Sequence, residues 1–195
     1  MSTAIAHTSD AAPVTLRIAT LNIHKGFGPF NRRFTLPALR QGLQALGADV
    51  LCLQEVLGEH RQHARRQSGW PAMPQYAFLA ESLWPQQAYG RNAVYADGDH
   101  GNAVLSKYPV THHRNHDLSI TGPERRGLMH CVLAVPGSAR TLHVLCVHLS
   151  LLESHRQQQL ALISDILRSE IAPDAPVVLA GDFNDWRGRA DSCLL

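Results

Sequence analysis

Residues 175–186 read Ala-Pro-Val-Val-Leu-Ala-Gly-Asp-Phe-Asn-Asp-Trp, "APVVLAGDFNDW". An apolar, β-branched run that stops abruptly in two carboxylates and an amide is the pattern of a buried strand delivering polar groups to the edge of a sheet. In an extended segment, residues two apart point the same way. Asp182 and Asn184 are therefore expected to face one pocket while Phe183 turns into packing.

The same grammar recurs upstream. "VTLRIATLNIHKG" alternates from Leu16 to Thr20 and leaves Asn22 at its exit. "LPALRQGLQALGADVLCLQEV" places Leu36, Leu39, Leu43 and Leu46 at helical spacing and stops at Gly47. It then forms a strand from Asp49 to Leu53 with Glu55 at its exit. "RTLHVLCVHL" runs into His148, with Ser150 just beyond. Between these lie a polar, basic excursion from Gly58 to Gln75 broken by Pro71 and Pro74, a short strand "YAFLA", a hairpin turning at Asp97-Gly98-Asp99, and a strand in "RGLMHCVLAV". "LLESHRQQQLALISDILRSEI" puts Leu152, Leu160, Ile163 and Leu167 along one face and reads as an amphipathic helix leading into the final strand. No repeat or linker interrupts the pattern. The reading is one α/β domain over residues 14–195, with mixed sheets and covering helices, after a mobile leader at residues 1–13.

Composition bounds the function without choosing it. With 45% hydrophobic and 17% charged residues, a chain of 195 residues can bury a full core. A formal charge of +2 is too small to mark a nucleic-acid binder by field strength. Cys52, Cys131 and Cys146 lie inside apolar runs, and no CxxC spacing links them with Cys193. Reduced, buried thiols and a reducing, cytoplasmic compartment follow. The N-terminus has neither a basic n-region nor a long apolar stretch, which argues against a signal peptide or a membrane span.

Four strand ends carrying Asn22, Glu55, His148 and the pair Asp182 with Asn184 would share one rim if the sheets align. A carboxylate with amide oxygens beside it is a hard oxygen environment that suits Mg²⁺, or Mn²⁺, rather than a thiolate-seeking metal. His148 can give a proton or hydrogen bond to a phosphoryl oxygen, and Asp182 can orient an attacking water. Together these groups describe phosphoester hydrolysis. Singly, each has a structural alternative: Asn22 and Asp182 as turn caps, Glu55 as a solvated residue after a strand, His148 as a hydrogen-bonded core histidine.

The joint order of "IATLNIHKG", "DVLCLQEV", "GNAVLSKYPV", "HVLCVHLS" and "VVLAGDFNDW" resembles the endonuclease/exonuclease/phosphatase superfamily over Leu16 to Trp186. The resemblance implies a four-layered α/β sandwich, two β-sheets face to face with helices outside. It implies Glu55 as the main Mg²⁺ ligand with Asn22 at the metal and the scissile phosphate. His148 would act at a phosphate oxygen or leaving group, Asp182 would position the water, and Asn184 would stabilise developing charge. His100 matches a position where some nucleases of the family carry a polar partner for that histidine, and Arg126, beside Arg125, is a candidate phosphate contact. The resemblance also implies further strands and a Ser-Asp-His segment after the GDxN strand. This sequence ends at "GRADSCLL" without them, so the expectation is a domain incomplete at its C-terminus, impaired in activity and able to self-associate through an uncovered sheet edge. The substrate is a nucleic acid, a phospholipid or a small phosphate ester. Arg61, Arg65 and Arg66 would favour the first, and an apolar rim from Trp70 and Trp84 the second. The competing reading is a non-catalytic fragment or binding module that associates through that edge.

Overall fold

The computed structural model describes residues 14–28 and 33–185; the leader expected at 1–13 and the last residues from Trp186, including Cys193, lie outside the described residues. In chain order the elements are β1 (Ile18–Asn22), a 3-10 turn (His24–Gly26), α1 (Leu36–Leu46), β2 (Val50–His60), α2 (Arg61–Arg66), α3 (Gln75–Ala80), β3 (Gln86–Tyr95), β4 (Gly98–Ser106), β5 (Val110–Asp117), β6 (Gly127–Leu133), β7 (Leu142–His148), α4 (Glu153–Glu170) and β8 (Val177–Asp182). They form two four-stranded sheets ordered β1-β2-β4-β3 and β5-β6-β7-β8. In each sheet one pair is parallel, β1 with β2 and β7 with β8, and the remaining pairs are antiparallel.

Three apolar clusters account for the layers. Between the sheets, Val50, Cys52, Ala88 and Val104 of the first meet Met129, Cys131, Val144 and Cys146 of the second. On the outer side of the first sheet, Leu51, Leu53 and Leu105 pack against Leu36 and Leu43 of α1 and Leu79 of α3, with Trp84 wholly buried among them. On the outer side of the second, Leu128, Leu145 and Val147 take Leu160 and Ile163 of α4. The sequence of layers is helix, sheet, sheet, helix, the four-layered sandwich expected. Strand alternation produces it directly: the central strands β2, β4, β6 and β7 send one set of side chains to the sheet interface and the other outward toward the helices.

β1 lies over β8 and β2 over β7, so both parallel pairs sit on the same side of the sandwich. That placement brings the C-terminal ends of β1, β7 and β8 and the middle of β2 to one rim. Polar clasps cross the interface beside it. Buried Asn102 on β4 donates to the carbonyls of Gly127 (2.8 Å) and Cys146 (3.3 Å), tying the first sheet to β6 and β7. Gly181 is required one residue before Asp182: a Cβ there would lie 2.0 Å from the carbonyl oxygen of Val147 on the neighbouring strand.

Several expectations are corrected. "YAFLA" is not a strand but most of α3, entered from Pro74 and buried through Gln75, Leu79 and Ala80. β2 does not stop at Leu53; it continues to His60 through register shifts after Leu53 and Leu57. β5 was not anticipated, because "VTHHRNHD" is polar and mostly exposed, as an edge strand is. Leu46 and Leu152 are exposed rather than buried. Cys52, Cys131 and Cys146 are buried free thiols. No described helix is long and apolar enough to cross a membrane.

Candidate active site

The rim brings Asn22, Glu55, Asp182 and His148 into one polar network. Asn22, at the end of β1, donates through its amide nitrogen to Glu55 Oε1 (3.0 Å) and to Asp182 Oδ2 (3.1 Å), bridging carboxylates from two different sheets. Its amide oxygen is occupied elsewhere, accepting the backbone N–H of His24 at 3.0 Å. That bond fixes the amide's orientation, so the nitrogen rather than the oxygen faces the carboxylates. Asp182 Oδ2 also lies 3.7 Å from His148 Nε2, and its Oδ1 accepts the backbone N–H of Asn184 at 3.1 Å.

Glu55 reaches the rim through backbone irregularity. It sits in the register shift between Leu53 and Val56 with φ of 54°. A bulge re-aims a side chain that regular alternation would send to a sheet face. A non-glycine residue in this left-handed region costs on the order of 1 kcal/mol, and such strain concentrates at functional sites. The described residues with positive φ other than glycine are His24, Lys25, Glu55, Ser82 and Asn184. All but Ser82 lie within three residues of Asn22 or at the rim itself.

His148 is buried, and Arg126 Nη1 lies 3.5 Å from its Nδ1, a weak contact. An arginine only donates, so Nδ1 accepts and Nε2 carries the proton, directed toward Asp182. Burial, and after it the Arg126 charge, hold the His148 ring below its ordinary value, with Asp182, Glu55 and Glu124 opposing. At neutral pH His148 is therefore a neutral hydrogen-bond donor, not an imidazolium. Arg126 is held in turn by Glu124 Oε1 at 2.6 Å, and the second oxygen of Glu124 accepts the hydroxyl of Ser150. Arg126 is thus mostly enclosed and held by Glu124, with its Nε buried and without a hydrogen-bond partner, whereas its neighbour Arg125 is exposed.

Asn184 does not continue the strand. β8 ends at Asp182, Asn184 has φ of 49°, and its amide donates to the carbonyl of Leu149 at 2.8 Å. The alternation expected through Asn184 fails, although Phe183 packs into the α4 cluster as anticipated. His100, on β4 opposite Leu57, is close enough to feel the charges of Lys25, Glu55, Arg126 and His148. Burial, then Lys25, pushes its ring down to about 4, and its Nδ1 is buried without a hydrogen-bond partner. It makes no hydrogen bond to His148 among those described.

Sequence reasoning missed Glu124, Ser150 as its partner, and His24, whose Nδ1 lies 3.9 Å from Glu55 Oε2. Glu124 stands two residues before Arg126 in a segment without regular structure, so no periodicity marks it.

These histidines set a pH dependence. His100, His148 and, on the far face of the second sheet, His130 (down to about 4) are kept neutral by burial in the folded chain. Unfolded, each takes a proton near 6.5, so below that pH the unfolded chain binds more protons and stability falls until about pH 4. The melting temperature is expected to drop by several degrees between pH 7 and pH 5, read from thermal melts in that window. His100→Gln should flatten the decline, and a melting temperature constant across the window would contradict this account.

Comparison with known proteins accords with the fold. The family model described as "Endonuclease/Exonuclease/phosphatase family" matches residues 19–195. The Escherichia coli protein YbhP, itself described as uncharacterized, is 49% identical over 180 residues, covering 92% of this chain and 71% of its own length. Among solved structures, an endonuclease/exonuclease/phosphatase from Beutenbergia cavernae superposes with a TM-score of 0.69 at 24% identity, over 87% of this chain but 47% of that one. The mannosyl-6-phosphatase Bt3783 of Bacteroides thetaiotaomicron gives 0.67 at 17% identity, over 93% of this chain and 70% of its own. The chain thus spans about half of the first structure and most of the others, and at these identities the structures speak for the fold. With the family model covering nearly the whole described chain, this protein belongs to the endonuclease/exonuclease/phosphatase family.

Proposed function

We propose that the chain hydrolyses phosphoester bonds by attack of water, with Mg²⁺ or Mn²⁺ held at Glu55. Members of the family are hydrolases acting on phosphoesters and generally use divalent ions. The observation that carries the reading for this chain is the Asn22 bridge, which holds Glu55 and Asp182 together at the rim with His148 beside them.

The donor set fits a hard cation. Its charged members are two carboxylates, no thiolate lies among them, and Mg²⁺ characteristically takes one or two carboxylates with water and substrate phosphate completing the shell. When bound, such an ion supplies Lewis-acid charge at the phosphoryl oxygen. The chain's own residues do the rest. Asn22 fixes the separation of Glu55 and Asp182. Asp182 orients the attacking water. His148 gives its Nε2–H to a phosphoryl oxygen or the leaving group, a preorganised donor on a buried ring. Arg126 holds that tautomer and Glu124 holds Arg126. Asn184 acts by shaping the Asp182 loop, because its amide is already committed to Leu149. His100 supplies a neutral ring at the margin. Buried, unpaired Cys52, Cys131 and Cys146 support work in a reducing, cytoplasmic compartment.

The substrate class turns on residues outside the polar network. Arg61, Arg65 and Arg66 are exposed on α2, just past the strand that carries Glu55, and favour a substrate with several phosphates. Trp84 cannot form an apolar rim, being wholly buried, and Trp70 stacks on Phe34 and His63. A metal-stripped sample given Mg²⁺ and a panel of phosphomonoester, chromogenic phosphodiester, single-stranded DNA and phospholipid is expected to turn over at least one class. The same preparation in chelator should not. Turnover absent with every member, in a sample that melts cooperatively, would sink the proposal and favour the binding-module reading. That second reading draws on β8, which ends its sheet with half-exposed side chains and no outer strand neighbour among the described residues.

A further inference from the structure

A second cluster of metal-binding side chains lies on the opposite face of the second sheet. His116 on β5, His130 on β6 and Glu170 at the end of α4 each offer a ligand atom, and these atoms lie within 4.8 Å of one another. His116 and His130 are both more than nine-tenths buried. His116 Nε2 has no hydrogen-bond partner, yet lies 3.4 Å from Glu170 Oε2. Glu170 uses its other oxygen for Arg114, at 3.2 Å, leaving Oε2 toward the histidines. His143 on β7 continues the row, with Nδ1 at 2.9 Å from His130 Nε2, which stiffens that ring.

The register explains the row. His130 pairs with Arg114 and Leu145, and His116 with Leu128, so the two histidines are diagonal neighbours on the α4 face. His148 belongs to the other face, three residues from Leu145 on β7, or about 10 Å along the strand. The cluster is therefore separate from the rim and shares no residue with it.

We propose that His116, His130 and Glu170 bind one transition-metal ion of the Zn²⁺ type, fastening the C-terminal end of α4 to β5 and β6. Two imidazoles and a carboxylate form a nitrogen-rich set that favours Zn²⁺ over Mg²⁺. Donors around a tetrahedral ion at about 2.0–2.1 Å stand roughly 3.3 Å apart, so the cluster closes on the ion by small side-chain movements. Burial keeps His116 and His130 below their ordinary pKa, so each ring is neutral at neutral pH and has one nitrogen lone pair to offer. The ion would give the orphaned His116 Nε2 the partner it lacks and would bind the Glu170 carboxylate oxygen that already faces that ring. Arg114 opposes it, but that side chain is largely exposed and free to turn outward.

The cluster shares no residue with the proposed hydrolytic site, so metal binding there is read apart from turnover. The Glu55→Gln chain, stripped with chelator, is titrated with Zn²⁺ by calorimetry at pH 7.5, and with Co²⁺ by visible absorption. One Zn²⁺ per chain is expected, with tetrahedral-type Co²⁺ bands and a rise in melting temperature. Adding His130→Gln should weaken Zn²⁺ by about tenfold or more and abolish the thermal shift. Glu170→Gln, at a partly exposed helix end where folding is least at risk, should do the same. No Zn²⁺ binding by the Glu55→Gln chain, or binding unaltered by both further substitutions, would overturn the site.

Discussion

Asp182→Asn is expected to lower metal-dependent turnover by about 10²-fold or more, with KM little changed. The two side chains have the same shape, so the argument rests on charge and on hydrogen-bond direction. Both oxygens of Asp182 accept: Oδ1 from the backbone of Asn184, and Oδ2 from Asn22, with His148 Nε2–H at 3.7 Å. An amide in either orientation presents its NH₂ to one of these donors. The site then loses the negative charge that orients water and also loses a contact that aligns Asn22 with Glu55. Steady-state rates on whichever phosphoester the wild type turns over fastest decide the matter. Turnover within about twofold of wild type would remove Asp182 from the reaction.

Trp84→Ala has the largest expected effect on stability, about 3–5 kcal/mol. The ring is fully buried among Leu36, Leu43 and Leu79, and its indole N–H donates to the carbonyl of Ala48 at 3.1 Å. Truncation leaves both a cavity under α1 and α3 and an unsatisfied buried carbonyl. Against a total of roughly 5–15 kcal/mol for an ordinary domain, that is a large fraction. Trp84→Phe keeps most of the volume and is expected to cost about 1–3 kcal/mol, chiefly for the orphaned carbonyl. Urea denaturation with an unchanged m-value reads both numbers, and a loss below about 1 kcal/mol for the alanine variant would mean the cluster is not the core of this layer.

How far the sequence discloses this arrangement depends on whether the decisive forces are local. Strands that are apolar on both faces, such as β7 and β8, announce themselves, because burial between a sheet and a helix demands an unbroken apolar run. Asn22, His148 and Asp182 are legible for the same reason: a polar residue ending such a run stands at a rim. β5 escapes because an edge strand needs few apolar side chains, and α3 escapes because six residues with aromatic content carry too little periodicity to separate helix from strand. Glu55 reaches the rim by a route the sequence does not show. The strand does not end there; a bulge within β2 turns the side chain to the rim, and bulges depend on pairing with β4. The role of Asn184 is likewise set by a distant carbonyl, that of Leu149, and the Ser150–Glu124–Arg126–His148 chain joins segments that no local pattern relates.

On the proposed reading Glu55, joined to Asp182 through Asn22, makes the rim a cation-dependent phosphoester site. The decisive measurement is the Mg²⁺ dependence of turnover in Glu55→Gln, compared with wild type on the same substrate. Glutamine preserves the volume of Glu55 and an acceptor for Asn22 while deleting the charge, so the fold is retained. The half-saturating Mg²⁺ concentration is expected to rise by about tenfold or more, together with a turnover depressed by at least a similar factor. A Glu55→Gln chain with the wild-type Mg²⁺ curve and the wild-type rate would contradict it.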